Sequence, residues 1–413
     1  MECLRELCSK TRGALKALQI HRATGGTKGA GQPTILLKRR NIDMNKADKK
    51  GYPHYMLKEI YEQPEVIENT LKDRLIPGSE DINLGDIKLT QNDLDGVHRM
   101  VVVACGTSYH AGLAGKYLIE KFAGIPVEVE IASEFRYRDP VVDKNSLVIA
   151  ISQSGETADT LDAMRKAKQK GARIIAISNV AGSTIPREAG HSLYTCAGPE
   201  ISIASTKAYT SQLIALYLLA LKLAQLKGGI DLETYRQRLG ALSSLPGKAR
   251  KMLDCSGEMK ELAGRHKDME KTIYLGRGLD YALALEGSLK LKETCYIHSA
   301  AYPAGEFRHG PMALVEEGLF VFFLATQDAL LDKSLANLRE IKERGAFVVA
   351  LAKEGSREVG KAADRVIYIP DVPDEFTSAP AVIPLQLFAY YMAAARGHDV
   401  DKPRSLVKSV TDS

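Results

Sequence analysis

VVVACGTSYHAG (101–112) is answered later in the chain by TIYLGRGLDYAL (272–283), with Gly106 on Gly278 and Tyr109 on Tyr281 at an offset of 172. The same offset lays SEFRYRDP on GEFRHGP, so that Glu134-Phe135-Arg136 meets Glu306-Phe307-Arg308. Further on, KGARIIAIS (170–178) meets RGAFVVALA (344–352) at an offset of 174. A correspondence held this far with a two-residue drift marks an internal duplication. Within the first copy VHRMVVVACG, IPVEVEIA, NSLVIAIS and ARIIAISN read as strands. HAGLAGKYLIEKFAG, ADTLDAMRKAKQKG and SQLIALYLLALKLAQLKG read as helices between and after them. Near-continuous apolar strands alternating with helices predict a parallel sheet covered on both faces. The expected architecture is therefore α/β, two domains of one fold at 81–250 and 251–395. A helical connector at 51–80 precedes them and a tail at 396–413 follows.

The bulk composition narrows the class. At 413 residues, 45% hydrophobic and 26% charged, the chain has the make-up of a soluble globular protein. The apolar run LIALYLLAL (213–221) stops at Lys222, short of a membrane span, and the N-terminus lacks the apolar core of a secretory signal. Six cysteines without CxxC or zinc-type spacing fit a reduced, cytoplasmic setting and imply no metal. The net charge of +5 is uneven: residues 1–50 hold 12 Lys/Arg against 4 Asp/Glu, and the remainder 44 against 47. With no basic stripe interleaved with aromatics, nucleic acid is not an expected partner. The Gly-rich RATGGTKGAGQP (22–33) reads as flexible.

Open α/β sheets bind ligands at the carboxyl ends of their strands. Two hydroxyl-rich loops of the first copy fall there, Cys105-Gly106-Thr107-Ser108 and Ser152-Gln153-Ser154-Gly155-Glu156-Thr157. A third, Ser202-Ile203-Ala204-Ser205-Thr206-Lys207, precedes the long apolar helix. Each alone reads as helix capping. Together they point to one anion site made of backbone N–H groups, helix N-termini and neutral hydroxyls. SLVIAISQSGETADTLDAM (146–164) carries no Lys or Arg, and its Glu156 and Asp159 read as first-turn acids suited to the helix dipole. Neither GxxxxGK[ST] nor GxGxxG occurs, so ATP and NAD are poorly supported.

In the second copy LALEGSLKLKETCYIH sets Glu286, Lys290 and Glu293 at i, i+4 and i+7, one helix face. Read alone this is a solvated Glu–Lys pair. His309 follows on a turn in GEFRHGPMAL, and the tail carries Lys402, Arg404 and Lys408. Read alone these are a structural histidine and a frayed end.

CGTSYHAG, ASEFRYR, SQSGETADT, ASTKAYTSQ, LEGSLKLKE, YIHSAAYPAGEFRHGPMAL and DKPRSLVKSVT together resemble the isomerase half of the glutamine–fructose-6-phosphate aminotransferase family. The resemblance runs from about Gly51 to the C-terminus and takes in YMLKEIYEQP (55–64), which is similar to the family's connector. It implies two tandem SIS (sugar isomerase) domains, each doubly wound and flavodoxin-like, a homodimer, no cofactor, and a site for fructose 6-phosphate. Carried over by motif, Ser108, Ser152, Gln153, Ser154 and Thr157 would hold the phosphate. Thr107, the Ile203-Ala204-Ser205 backbone and the Ser205 hydroxyl would hold the sugar, with Cys105, Gly106 and Val407 completing the binding set. Glu293 would move a proton between C1 and C2, and His309 of a second subunit would open the ring. Lys408 would form a Schiff base at C2, supported by Glu286 and Lys290, the latter expected to lower the lysine's pKa.

The pattern departs from the family at its start. Met1-Glu2-Cys3-Leu4 has no Gly after the Cys, and about fifty residues precede the connector, so a glutaminase domain is not expected and ammonia would arrive free or from a separate glutaminase. In the tail, Ser405 and Val407 replace the family's Asn and Ala. The expected activity is isomerisation of fructose 6-phosphate, giving glucosamine 6-phosphate with ammonia. The alternatives are a deaminase running the reverse reaction and a non-catalytic sugar-phosphate sensor. A sensor has no need of Glu293, His309 and Lys408 together.

Overall fold

The computed structural model describes residues 48–76 and 81–411. The basic segment expected at 1–50 lies, but for its last three residues, outside them. From Tyr52 onward the chain forms one compact unit. Helices α1 (Tyr55–Tyr61) and α2 (Gln63–Leu71) lead into it. No local side chain caps α1. Its first N–H groups, of Tyr55 and Met56, each donate at 2.9 Å to the Asp401 carboxylate, brought from the far end of the chain.

The first sheet holds β1 (Arg99–Ala104), β2 (Val127–Ile131), β3 (Ser146–Ser152), β4 (Arg173–Ser178) and β5 (Ser192–Tyr194), in the order β2-β1-β3-β4-β5 and parallel throughout. The second holds β6 (Lys271–Gly276), β7 (His298–Pro303), β8 (Phe320–Ala325), β9 (Phe347–Lys353) and β10 (Arg365–Ile369) in the matching order β7-β6-β8-β9-β10. Both are the doubly wound arrangement expected from the alternating pattern, and both reverse strand order beside their first strand. Along β1, Met100, Val102 and Ala104 face one core while Val101 and Val103 face another with Phe135 and Met164. That two-sided burial is why the strands read as unbroken apolar runs.

The larger core lies between the sheets and draws on both copies. It is filled by α3 (Gly106–Ala123), α5 (Lys207–Lys227), α8 (Leu279–Cys295) and α10 (Ser378–Ala395), with α3 against α5 and α8, and α8 against α10. α10 is apolar enough to cross a membrane by length and composition, a feature the sequence reading passed over, but it is mostly buried inside the protein. α6 (Leu232–Met252) and α7 (Ser256–Arg265) join the copies, and α4 (Ala158–Gln169) and α9 (Leu331–Glu343) cover the outer faces. The duplicated EFR motif does the same job twice. Arg136 pairs with Asp159 and Asp162 of α4, and Arg308 with Glu340 of α9.

The copies differ at the carboxyl edge. At the position of Ser108 the second copy has Asp280, whose buried carboxylate accepts the Thr326 N–H and hydroxyl just past β8. Asp374 accepts the next N–H groups, of Asp328 and Ala329, and Lys353 bridges Asp328 and Asp374 at 2.6 Å each. The second sheet thus fills its own edge with its own carboxylates. Burial pushes Asp280 up to about 6, against hydrogen bonds from Thr326 and Gln327 that pull it down. The fold favours the neutral acid, so its contribution is full below the unfolded carboxylate range and is lost as pH rises through about 6. Urea unfolding should show wild-type stability falling by roughly 3 kcal/mol between about pH 4 and pH 7 relative to Asp280→Asn. Parallel curves would remove this role.

Candidate active site

β3 ends in Ser152, and the chain turns through Ser152–Thr157 into α4. Ser152 shapes the turn: its Oγ accepts the Gly155 N–H at 3.0 Å and lies 2.9 Å from Thr157 Oγ1. Gly155 has φ +67°, and a Cβ there would fall 1.9 Å from Ser183 Oγ, so both conformation and space require glycine. Among the described residues no protein acceptor takes the N–H of Gln153 or Ser154. Glu156 and Asp159 are not merely first-turn acids. Glu156 accepts the Thr184 N–H at 2.9 Å, and Asp159 holds Arg136 at 2.8 Å. Both negative charges are engaged by other partners, which leaves the loop to hydroxyls, backbone N–H groups and the α4 N-terminus.

Beside it, Gly106 (φ +53°) starts α3. Ser108 Oγ accepts from Gln212 of α5 at 3.0 Å. Cys105 is turned away: Thr160 Oγ1 donates to its sulfur at 3.8 Å and burial raises the thiol. Thr107 is buried and points into the interface with the second copy. There its hydroxyl donates to Glu286 at 3.1 Å and accepts from Lys290 at 3.0 Å. Lys290 lies 3.3 Å from Glu286 and 2.6 Å from Glu293, and His110 Nδ1 reaches Glu286 at 2.8 Å. Glu286 and Lys290 are fully buried, while the Glu293 side chain keeps 22% exposure. The spacing that reads as a solvated pair is thus a buried cluster with one accessible carboxylate. Although burial alone would lower it, the Glu286 and Glu293 charges raise the Lys290 pKa.

The third loop is organised by Glu200. Its buried carboxylate accepts the N–H groups of Thr206 and Ala208 at 2.9 and 3.1 Å and the Ser205 hydroxyl at 3.2 Å. It also accepts the Lys408 ammonium at 2.5 Å, which donates in addition to the Ser202 carbonyl at 2.7 Å. The tail then crosses the Ser152–Thr157 loop, with Ser409 Oγ 3.0 Å from Ser154 Oγ and the Val410 carbonyl accepting the Ala158 N–H.

The structure thus draws Thr107, Glu286, Lys290 and Glu293 into one cluster, and Ser152, Ser154 and Thr157 into a loop capped by the tail. Lys408 joins Ser205 through Glu200. The Ile203 N–H is taken by the Asp401 carbonyl, Ala204 is buried, and the Ser205 hydroxyl is engaged by Glu200. Val407 is 65% exposed, and His309 is exposed on its turn with its N–H on the Glu306 carbonyl. Lys290 pairs with its own two carboxylates, and the carboxylate bonded to Lys408 is Glu200. His110, Glu200, Glu59 and Gln212 were not singled out from the sequence. His110, Glu59 and Gln212 fall inside quoted motifs and Glu200 does not, but none has a local signal for its role, because the partners are distant in the chain.

The sequence matches the SIS domain family at residues 93–222 and 267–396. It is 55% identical over 369 residues to a glutamine–fructose-6-phosphate aminotransferase [isomerizing] of Caldanaerobacter subterraneus, covering 89% of this chain and 60% of that protein. A protein of the same name from Clostridium tetani is 54% identical over 365 residues, covering 88% of this chain and 60% of its own length. The chain thus spans 60% of the length of these curated relatives. The solved C-terminal domain of glucosamine-fructose-6-phosphate aminotransferase from Francisella tularensis is 42% identical, with TM-score 0.82, covering 86% of this chain and 100% of that one. A glucosamine-6-phosphate deaminase from Thermotoga maritima is 25% identical, with TM-score 0.68, covering 86% of this chain and 99% of that one.

The cluster carries its own energetic consequence. Lys290→Met leaves two carboxylates in the interface without their ammonium and should cost about 3–5 kcal/mol in urea unfolding. Adding Glu286→Gln should recover part of that loss. A single variant within about 1 kcal/mol of wild type would show that the cluster is not held by charge pairing.

Proposed function

This chain belongs to the SIS domain family, with two copies of the domain, and from that premise we propose that it isomerises fructose 6-phosphate and, given ammonia, forms glucosamine 6-phosphate. The observation that carries the reading is Glu293, held half-open at the end of a buried Glu286–Lys290 pair that is hooked onto Thr107 at the edge of the first sheet. An aldose–ketose conversion needs one group that can move a proton between adjacent carbons, and a fixed, accessible carboxylate suits it.

The phosphate sits on the Ser152–Thr157 loop and Ser108, held by neutral donors and helix N-termini. Buried hydroxyls of Ser202 and Thr206, without a protein partner among the described residues, are further donors for the sugar. His309, exposed on its turn, is delivered to the site of a second subunit and opens the ring. Lys408 attacks C2 and forms the imine. Ammonia adds to the imine carbon and expels the Lys408 amine, and Glu293 then takes a proton from C1 of the new C2 imine and returns it at C2, leaving the 2-amino aldose. The tail over the phosphate loop keeps water from the imine. The reaction is placed in the cytoplasm, where the four described cysteines stay free.

The test incubates the protein with fructose 6-phosphate, with and without ammonium, and assays glucosamine 6-phosphate and glucose 6-phosphate. Lys408→Ala and Glu293→Gln should each lower product formation by about 100-fold or more with unchanged circular dichroism. Near-wild-type rates in either variant, or no conversion by wild type in either direction, would contradict the proposal.

A further inference from the structure

Glu59 is a buried acid that the chemistry above does not use. In α1 its neighbours are otherwise engaged: Lys58 and Lys207 both pair with Glu62, at 3.2 and 2.7 Å, and Asp401 caps the helix. The fully buried Glu59 carboxylate accepts the N–H groups of Ile201 and Ser202. Glu200, the residue before them, holds Lys408, and the Ser202 carbonyl takes a second bond from the same ammonium. Three consecutive residues, Glu200-Ile201-Ser202, thus connect two buried carboxylates to one ammonium.

Two such carboxylates do not ionise equally. Burial and then the Glu200 charge push Glu59 up to about 8, opposed by the Ile201 N–H, Lys408 and Lys207. Glu200 is lowered although burial alone would raise it, because Lys408 and the Thr206 and Ala208 N–H groups outweigh burial. Near neutral pH the proton resides on Glu59, and Glu200 alone faces the ammonium.

We propose that Glu59 is a positioning residue for the Schiff-base lysine. When neutral, it leaves Lys408 opposite a single carboxylate and able to shed its proton. When ionised, it sets a second negative charge behind the same loop and keeps the ammonium protonated. The inference rests on the reading of Lys408 given above. In the step concerned, the ammonium passes one proton to Glu200 and the freed lone pair forms the N–C2 bond while the carbonyl electrons move to oxygen. That oxygen collects one proton from the nitrogen and one from Glu200. It then leaves as water, and a protonated imine remains.

The experiment traps that imine. Wild type, Lys408→Ala, Glu59→Gln and Glu59→Asp are incubated with fructose 6-phosphate and borohydride from pH 6 to 10, and the mass added to Lys408 is measured. Gln keeps the acceptor for both N–H groups but cannot ionise. Its adduct-against-pH curve should therefore move toward lower pH by roughly one unit. Asp keeps an ionisable group, so its curve should keep the wild-type midpoint with less adduct, and it serves if the amide variant fails to fold. A purely structural Glu59 would lower the adduct at every pH without displacing the curve, and superimposable or parallel curves for Gln would overturn the inference. So would an Asp curve that shifts as the Gln curve does, or one with wild-type adduct. No adduct on wild-type Lys408 would overturn the Schiff-base reading and this inference with it.

Discussion

One carboxylate and one ammonium buried where the two copies meet, with a second carboxylate beside them, set the terms for the rest of the molecule. Removing Glu286 and Lys290 from water is costly, and only close pairing with full hydrogen bonding offsets it. Thr107 supplies both a donor and an acceptor to the pair, and His110 supplies another donor. Both come from the first turns of α3, directly after β1, so the charge cluster of one copy is satisfied only when the edge of the other is docked against it. The same contact leaves Glu293 half-open beside the edge that carries the hydroxyl loops. Docking of the copies and placement of the Glu293 carboxylate are one arrangement.

Duplication gave two equivalent sheet edges, and the chain treats them oppositely. In the first copy the Gln153 and Ser154 N–H groups of the Ser152–Thr157 loop have no protein acceptor among the described residues. In the second, Asp280 and Asp374 take the corresponding groups, with Lys353 balancing the charge. A site already holding its own carboxylate has no reason to bind a phosphate. The second copy instead contributes the α8 helix with its buried Glu286–Lys290 pair and the accessible Glu293, so under the proposed function the anion and the chemistry are drawn from different repeats.

Fold class was legible because burial on both sheet faces leaves unbroken apolar strands, and because the repeat offset is carried by residues such as Gly106 and Gly278 that mark the same strand-to-helix turn. The α8 triad was visible as a helical spacing, but its burial was not, since Thr107 lies more than 170 residues away. Glu156 and Asp159 looked like dipole-suited acids because their partners, the Thr184 N–H and Arg136, are tertiary. The cap on α1 was hidden for the same reason: Asp401 is brought to it by the tail. Glu200 and Glu59 are single acids with no local sign of their partners, and only the folded chain aims them at one loop and one lysine. Local patterns report which surfaces are buried, whereas partners set by long-range packing leave no periodic trace.

The central claim is that one sugar phosphate binds per chain, its phosphate on the first sheet's edge and its reacting carbons at the second copy's helix. A structure of the protein with fructose 6-phosphate tests this most directly. The account predicts phosphate oxygens within hydrogen-bond distance of Ser152, Ser154 and Ser108, with C1 and C2 facing Glu293 and C2 within reach of Lys408. A phosphate seated at Thr326–Ala329 of the second sheet, or a sugar whose C1–C2 bond faces away from Glu293, would contradict it.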